Sequence, residues 1–336
     1  MTVHIIRLWV QHLSFVILTY GGRLGLNLGQ ALPCFSCPFI GVGCAGSCYL
    51  IGLQGMIGFG MTLENLTSWW VLSPIAWFLL FLVLLGLLGK AWCGWICPFG
   101  LVQDWLTILR QKLRIREMVI SPEQKKRLAP VKYILLAYLI LVPPLVTAGI
   151  IHDDFFRPFC NICPGRSIMP LFAGDTSYLA INFNNEVFFG LSLTLLIVTG
   201  GMLVGMFFKE RFFCIFCPML ALIHVLKPLT MLRLVKEPAA CVGCGNCRRA
   251  CPMDVSEVHL EKVSPDVQTP ECIDCAGCVE ACPSDGALKL KFWKYDIFVS
   301  SRRYVAGLVE PQRGLKPPEA VINESVRPGT GFNNSH

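Results

Sequence analysis

The sequence has few charged residues and lacks the motifs of most soluble enzymes. Only 15% of its 336 residues are charged and 54% are hydrophobic, whereas soluble domains contain about 25% charged residues. No nucleotide-binding fingerprint, catalytic triad or nucleic-acid-binding motif is present, so we expect no nucleic-acid partner. No C-x2-C pair is followed by His, which excludes covalently attached c-type haem. The composition therefore predicts a membrane protein.

Uncharged apolar runs occupy much of the first two thirds of the chain. A spanning helix needs about 20 such residues, and three runs are long enough to span a bilayer: Trp69–Gly89, Tyr133–Ile151 and Val187–Phe208. A shorter run, Leu8–Gly22, also counts as a span because Arg23 can snorkel to the membrane surface; a cleaved signal peptide is the alternative. Residues 39–63 are a candidate re-entrant or fifth membrane segment. We therefore expect a membrane all-α bundle of about four transmembrane helices.

Lys and Arg are concentrated in one connection between these runs. Residues 90–132 contain nine of them, whereas residues 24–68 contain none and residues 152–186 contain only two. Positively charged loops stay on the cytoplasmic side of a membrane. We therefore expect the 90–132 loop and everything after the last run to be cytoplasmic, and the other two loops to face outward.

The C-terminal third contains the same cysteine run twice. Each copy reads C-x2-C-x2-C-x3-C-P, a spacing typical of bacterial ferredoxins with two [4Fe–4S] clusters, in which the fourth cysteine ligates the other cluster. Zinc is the alternative metal for C-x2-C pairs, but a zinc site does not require eight interlocked cysteines. The spacing predicts an α+β 2[4Fe–4S] ferredoxin-like domain, with Gly243, Gly245 and Gly277 letting the loops curl. One cluster is expected on Cys241, Cys244, Cys247 and Cys282, and the other on Cys272, Cys275, Cys278 and Cys251.

Two further cysteine pairs follow the second and fourth apolar runs directly. Both end in Cys-Pro and both lie a few residues beyond the last apolar residue, so they are expected at the same membrane depth. The alternative is that these are isolated buried cysteines, but that hypothesis explains poorly why the two pairs have matching positions. We predict a third [4Fe–4S] cluster at the inner membrane edge, held by Cys93, Cys97, Cys214 and Cys217.

Six cysteines lie in the loops predicted to face outward. Four of them repeat the Cys-Pro pattern and predict a fourth cluster, on Cys34, Cys37, Cys160 and Cys163. Cys44 and Cys48 are alternative ligands, which would complete a set with Cys34 and Cys37. Disulfides are the competing hypothesis, because the outer face of a bacterial membrane is oxidising.

The order of these parts resembles the NapH-type membrane ferredoxins, which are quinol-dehydrogenase subunits. The resemblance rests on CGWICPFG (Cys93–Gly100), the basic loop, CIFCPMLAL (Cys214–Leu222) and the two ferredoxin runs, and it covers roughly residues 1–296. The second motif departs from the family's C-x3-C-P, and the outward cysteines are not part of its pattern. The expected domains are a transmembrane domain (1–236), a ferredoxin domain (237–296) and an extended or disordered tail (297–336).

The resemblance implies an iron–sulfur electron-transfer subunit of a membrane oxidoreductase complex in the bacterial inner membrane. Its partners would be the quinone/quinol pool or a cytoplasmic donor, and other redox subunits. Quinol oxidation releases protons, and the candidate acceptors are His152, Asp153 and Asp154, with His12 as second choice; a polar turn that caps a helix is the alternative for the first three. A different class of function, a redox-sensing or metal-reducing assembly or regulatory factor, remains open.

Overall fold

The chain folds into two compact units. The computed structural model describes residues 3–21, 69–151, 163–172, 174, 176–181, 183 and 186–303. One unit comprises Leu8–Thr230, and the other comprises Met1–Arg7 together with Met231–His336. We refer to them as the helical unit and the C-terminal unit. Residues 39–63 and the tail beyond residue 303 lie outside the described residues.

The helical unit contains long apolar helices and several short helices between them. A π-helical turn covers Trp92–Ile96, and 3-10 turns cover Ser177–Leu179 and Lys227–Leu229. The α-helices are α1 (Val3–Tyr20, whose first residues belong to the C-terminal unit), α2 (Trp69–Leu88), α3 (Pro98–Lys112), α4 (Pro122–Leu128), α5 (Val131–Thr147), α6 (Pro164–Leu171), α7 (Glu186–Phe208), α8 (Phe212–Phe216) and α9 (Pro218–Val225).

Three helical stretches among the described residues are long and apolar enough to cross a membrane. They are Val3–Tyr20, Glu123–Val146 and Phe188–Phe208. The apolar part of α2 whose side chains are described, Phe78–Leu88, is shorter than a membrane span. The expectation of about four transmembrane helices therefore stays a prediction. Along α2, Phe81 and Leu85 are fully buried while Leu79 and Val83 are more than half exposed. Helices that are apolar on both faces are typical of membrane spans.

Each described Cys-Pro pair outside the ferredoxin runs begins a helix. Pro98, Pro164 and Pro218 occupy the first turn of α3, α6 and α9, where proline lacks only an N–H that would have no helical partner. Proline also forces the residue before it into an extended conformation, and the preceding cysteines have ψ between 114° and 122°. The dipeptide therefore places a cysteine at the N-cap of each helix.

The C-terminal unit combines short helices with an antiparallel sheet. Strands β1 (Leu232–Lys236), β2 (Leu288–Phe292) and β3 (Tyr295–Val299) pair in that order. Leu234 lies opposite Leu290, and both side chains are buried. β1 precedes residue 237, the predicted start of the ferredoxin domain, yet it completes this sheet. The helices are a 3-10 turn (Pro238–Ala240), α10 (Asn246–Arg249), α11 (Glu257–Leu260) and α12 (Gly277–Glu280).

Candidate metal centres

Four cysteines drawn from both ferredoxin runs surround one pocket in the C-terminal unit. They are Cys241, Cys244 and Cys247 of the first run and Cys282, the last cysteine of the second. Burial, and then the charges of the other three, raise the pKa of the Cys247 thiol to about 12, so the four sulfurs act on one another. Four thiolates around one pocket fit a [4Fe–4S] cluster, which takes four cysteine ligands.

The remaining four cysteines of the two runs also lie together. The Cys272 thiol interacts electrostatically with Cys278 and Cys251, and the Cys251 thiol interacts with Cys275. Cys278 also interacts with Cys247 and Cys282 of the first set, so the two sets are adjacent. The structure thus brings together the same two groups of four that the spacing predicts.

The two ligand loops share a backbone conformation but not the residues that adopt it. Gly243 and Gly245 have φ of +67° and +73° in the first loop, and Asp274 and Ala276 have φ of +48° and +58° in the second. Left-handed backbone costs an L-residue roughly 1–2 kcal/mol. Gly277 has no positive φ; a Cβ there would lie 3.4 Å from the Ala250 carbonyl oxygen. A Cβ would therefore make only an ordinary contact, and Gly277 does not supply the turn that the sequence suggested.

The pairs beyond the ends of α2 and α7 meet in the helical unit. Cys93 lies in the π-helical turn and Cys214 in α8, while Cys97 and Cys217 are the N-caps of α3 and α9. Burial raises the pKa of the Cys93 thiol well above its usual value, and Cys97 and Cys214 raise it further. The Cys217 thiol interacts with Cys93, Cys214 and Cys97. These four thiols therefore form one group, although more than 100 residues separate the two pairs.

Cations and helix ends offset the charge that this group would carry as thiolates. Lys90 and Arg211 both lower the pKa of Cys93, and Lys90 is 1% exposed. The N-caps Cys97 and Cys217 lie where a helix favours negative charge, which also favours a thiolate. The donor set and its surroundings therefore fit an anionic metal cluster.

A buried polar network supports the same group, and the sequence analysis did not identify it. Arg211 donates to both Asp104 carboxylate oxygens, at 2.8 and 2.6 Å, and to the Cys93 carbonyl at 3.2 Å. Gln11 of α1 donates to Asp104 at 3.0 Å and to the Gly94 carbonyl at 3.1 Å. Although burial opposes its charge, Asp104 raises the pKa of Arg211 above its ordinary value. The network fixes the backbone that carries Cys93.

Gln103, next to Asp104 in α3, contacts the cysteine group directly. Its amide nitrogen lies 3.6 Å from the Cys214 sulfur, and its amide oxygen accepts the Phe213 backbone N–H at 3.0 Å. The available signal was a Gln-Asp pair within an otherwise apolar stretch one turn after CGWICPFG. A polar pair at such a position needs buried partners.

Most of the outward residues proposed for a site lie outside the described part of the chain. This holds for Cys34, Cys37, Cys44, Cys48 and Cys160, and for His152, Asp153 and Asp154. Cys163 is described: it is buried, 6% exposed, at the N-cap of α6. Among the described residues, no three His, Cys, Asp or Glu side chains are close enough to hold a single metal ion.

His12, the second-choice proton acceptor, has both ring nitrogens engaged. Trp105 donates its indole N–H to Nε2 at 3.2 Å, and Nδ1 lies 2.7 Å from the Leu8 carbonyl oxygen. An accepted bond at Nε2 leaves the hydrogen on Nδ1, which donates it to Leu8. His12 therefore has no free lone pair for a quinol proton in this arrangement.

Comparison with known families agrees with this arrangement of cysteines. Residues 70–116 and 191–230 match the family described as 4Fe-4S binding domain, and residues 233–283 match the 4Fe-4S dicluster domain. The first match covers the Cys93 and Cys214 motifs, and the second covers both ferredoxin runs. The chain therefore contains 4Fe-4S ferredoxin domains, and it has candidate membrane-spanning helices.

The chain is homologous to proteins from several bacteria, one of which is named as ferredoxin-type. It is 28% identical to YccM of Escherichia coli (strain K12), a protein named for electron transport, over 54% of this chain and 46% of YccM. It is 28% identical to the methylamine utilization ferredoxin-type protein MauN of Methylobacillus flagellatus, over 49% of this chain and 48% of MauN. It is 27% identical to NirI of Paracoccus denitrificans, over 54% of this chain and 24% of NirI.

The chain thus spans about half or less of the length of these relatives. No solved structure matches it. The NapH-type resemblance itself stays a prediction.

Proposed function

We propose that this protein is the iron–sulfur electron-transfer subunit of a membrane oxidoreductase complex, relaying electrons between quinol or a cytoplasmic donor and a partner redox protein. When bound, [4Fe–4S] clusters accept and release one electron at a time. The observation that carries the proposal is the grouping of twelve cysteines into three sets of four, two adjacent in the C-terminal unit and one in the helical unit.

The residues around the ferredoxin cysteines support ligand roles for them. Cys241, Cys244, Cys247 and Cys282 would hold one cluster, and Cys272, Cys275, Cys278 and Cys251 the other. The Cys251 sulfur accepts the backbone N–H of Val255 at 3.3 Å, a bond that stabilises a thiolate. Lys236 is 2% exposed and donates to the carbonyls of Val258 and His259, which fixes a positive charge at the first pocket.

The inner group would hold a third cluster near the membrane edge. Cys93, Cys97, Cys214 and Cys217 lie directly beyond two apolar helices, α2 and α7. Gln103 and Arg211 hold the turns that carry Cys214 and Cys93. This position would allow electrons to pass between the cluster and quinol dissolved in the lipid phase.

The outward residues extend the proposal. A fourth cluster on Cys34, Cys37, Cys160 and Cys163, with Cys44 and Cys48 as alternative ligands, would continue the relay toward the outer face. His152, Asp153 and Asp154 would accept quinol protons there. The Lys and Arg distribution supports a bacterial inner-membrane location with a cytoplasmic ferredoxin domain.

The cluster number tests this proposal directly. We expect anaerobically purified protein to contain about 12 iron and 12 acid-labile sulfide atoms for three clusters, or about 16 of each with the outer site. Replacing Cys93 and Cys97 by Ser should lower the content by about four iron and four sulfide atoms, which is one cluster, and leave the EPR signals of the ferredoxin clusters intact. A colourless preparation that holds zinc or free thiols would refute the proposal.

Electron exchange with quinone separates a relay subunit from an assembly or regulatory factor. Clusters reduced chemically in proteoliposomes should reoxidise on addition of a soluble quinone at catalytic rates, about 1–1,000 per second. The Cys93/Cys97 double variant is the matched control, because its ferredoxin clusters remain. Reduced clusters that respond neither to quinone nor to a partner enzyme would favour a sensing or assembly role.

A further inference from the structure

The two ferredoxin loops have the same spacing but opposite exposure. In the first loop, Val242 between Cys241 and Cys244 is 46% exposed, and Gly243 is also exposed. At the equivalent positions of the second loop, Ile273 is 2% and Asp274 is 1% exposed. A carrier in solution can therefore approach only the first of these two loops closely.

Basic side chains surround the exposed loop. Lys236, Arg248, Lys262 and Arg249 all act electrostatically on His259, which lines the pocket of Cys241, Cys244, Cys247 and Cys282. Arg248, Arg249 and Lys262 are exposed. Arg249 donates to the Cys244 carbonyl and to Asn246, whereas Arg248 and Lys262 make no side-chain hydrogen bond or ion pair with any residue that the structure describes.

Acidic side chains on the same stretch offset these charges in part. Glu257, at the start of α11, is exposed. The Glu261 carboxylate accepts the backbone N–H groups of Val263 and Ser264, both at 2.8 Å, so it is held against its own loop. Asp254 and Asp266 also lie on this stretch, and the Asp266 carboxylate accepts the backbone N–H of Gln268 at 3.0 Å. With Glu261 and Asp266 held against their own loops, Arg248 and Lys262 are the exposed cations that remain available to an outside partner.

Exposed apolar residues lie among the cations. Leu260 is 65% and Val263 is 87% exposed, and both are neighbours in sequence of His259 and Lys262. Together with Val242 they give this face an apolar centre with a charged rim. Protein–protein interfaces commonly have that arrangement.

We infer that the face formed by Val242, Arg248, Leu260, Lys262 and Val263 is the docking surface for a soluble one-electron carrier protein with an acidic surface. The inference rests on the proposed electron-transfer function and adds the partner's chemistry and its place of contact. Charge complementarity selects an acidic protein, and the exposed first loop gives that protein the shortest path to a cluster. The face serves association, because complementary charges mainly raise the rate of encounter.

The test uses the complete protein in neutral-lipid nanodiscs and a reduced, acidic plant-type [2Fe–2S] ferredoxin as the probe. One electron leaves the probe and enters an oxidised [4Fe–4S] cluster; no covalent bond forms or breaks. Stopped-flow absorbance measures the second-order rate at about 20 mM and 500 mM salt. The test variant is Arg248→Glu with Lys262→Glu, which replaces neither a cysteine nor a residue with a structural side-chain contact.

Lys294→Glu is the control for each of the two replacements, since it makes the same charge change as one of them on an exposed side chain. Lys294 is six residues beyond Leu288, which lines the first pocket, and hence about 20 Å away along the β2–β3 hairpin. Reduction by the cationic dye methyl viologen requires no docking. It checks that every variant contains reducible clusters.

We expect the double variant to lower the low-salt rate by about tenfold or more, and high salt to remove most of that difference. Lys294→Glu should change little. If methyl viologen reduces all variants but the ferredoxin rate depends neither on salt nor on the double variant, the docking surface is wrong and the relay function stands. If methyl viologen reduces no cluster, the proposed function itself fails.

Anionic lipid provides the last arm of the test. If the rates of the natural protein and the double variant differ only in nanodiscs containing phosphatidylglycerol, the face binds lipid headgroups. That result would overturn the proposed protein partner.

Discussion

The buried ion pair of Asp104 and Arg211 offers the sharpest test of the helical unit. The two side chains are 7% and 1% exposed and form a bidentate pair. Asp104→Ala leaves the Arg211 guanidinium buried without its carboxylate, which costs about 3–5 kcal/mol in comparable cases. Gln11 loses an acceptor as well. We therefore expect the free energy of unfolding of this unit to fall by about 4 kcal/mol.

A double-mutant cycle separates the pair from its surroundings. Asp104→Leu with Arg211→Met replaces both charges by apolar groups of similar volume, a change that is often neutral or stabilising. The double variant should therefore be more stable than either single variant, with a coupling energy of about 2 kcal/mol or more. Unfolding in mixed micelles titrated with sodium dodecyl sulfate, followed by tryptophan fluorescence, measures all four proteins.

Glu117→Ala is the control within the same unit. Glu117 pairs with Lys209 at 2.7 Å and with Arg110 at 3.4 Å, and its side chain is 36% exposed. Water can therefore reach this site and replace part of the lost interaction, so we expect a smaller cost than for Asp104→Ala. The buried pair would be refuted if Asp104→Ala lowered the free energy of unfolding no more than Glu117→Ala does. It would also be refuted if the effects of the two single replacements simply added in the double variant.

Three further predictions concern the sulfurs. Cys282→Ser should abolish the EPR signal of the cluster on the first run and Cys251→Ser that of the second, because each is expected to ligate the other run's cluster; loss in the opposite order would contradict this ligand assignment. Gln103→Leu removes the N–H that points at the Cys214 sulfur, so the inner cluster's reduction potential should fall, and an unchanged EPR titration would contradict that role. Burial and neighbouring thiols raise the pKa of Cys247 to about 12. Alkylation of Cys247 by iodoacetamide at pH 8 should therefore be about a hundredfold slower in the cluster-free folded protein than in urea. Equal rates in the two conditions would count against the packing of the first pocket.

Local sequence was sufficient to predict which ferredoxin cysteines lie together. Cys282 was grouped with the first run and Cys251 with the second, and the structure has the same grouping, because spacing along a short loop limits which sulfurs can meet; their role as cluster ligands stays a prediction. The apolar runs likewise predicted helices that the structure has, at Trp69–Leu88 and Glu186–Phe208. The run at Tyr133–Ile151 was predicted four residues too long, because α5 ends at Thr147 just before Gly149 with its positive φ.

The tertiary structure alone decided what surrounds those cysteines. Asp104 and Arg211 are 107 residues apart, and no local pattern indicates that they pair, since a buried charge finds its partner only when helices pack. Val242 and Ile273 occupy the same place in identical motifs, yet one is exposed and the other buried. Exposure depends on what packs over a loop from elsewhere in the chain, so the sequence by itself determined which cysteines can be grouped as candidate ligands, and only the fold decided which of the two ferredoxin loops is exposed.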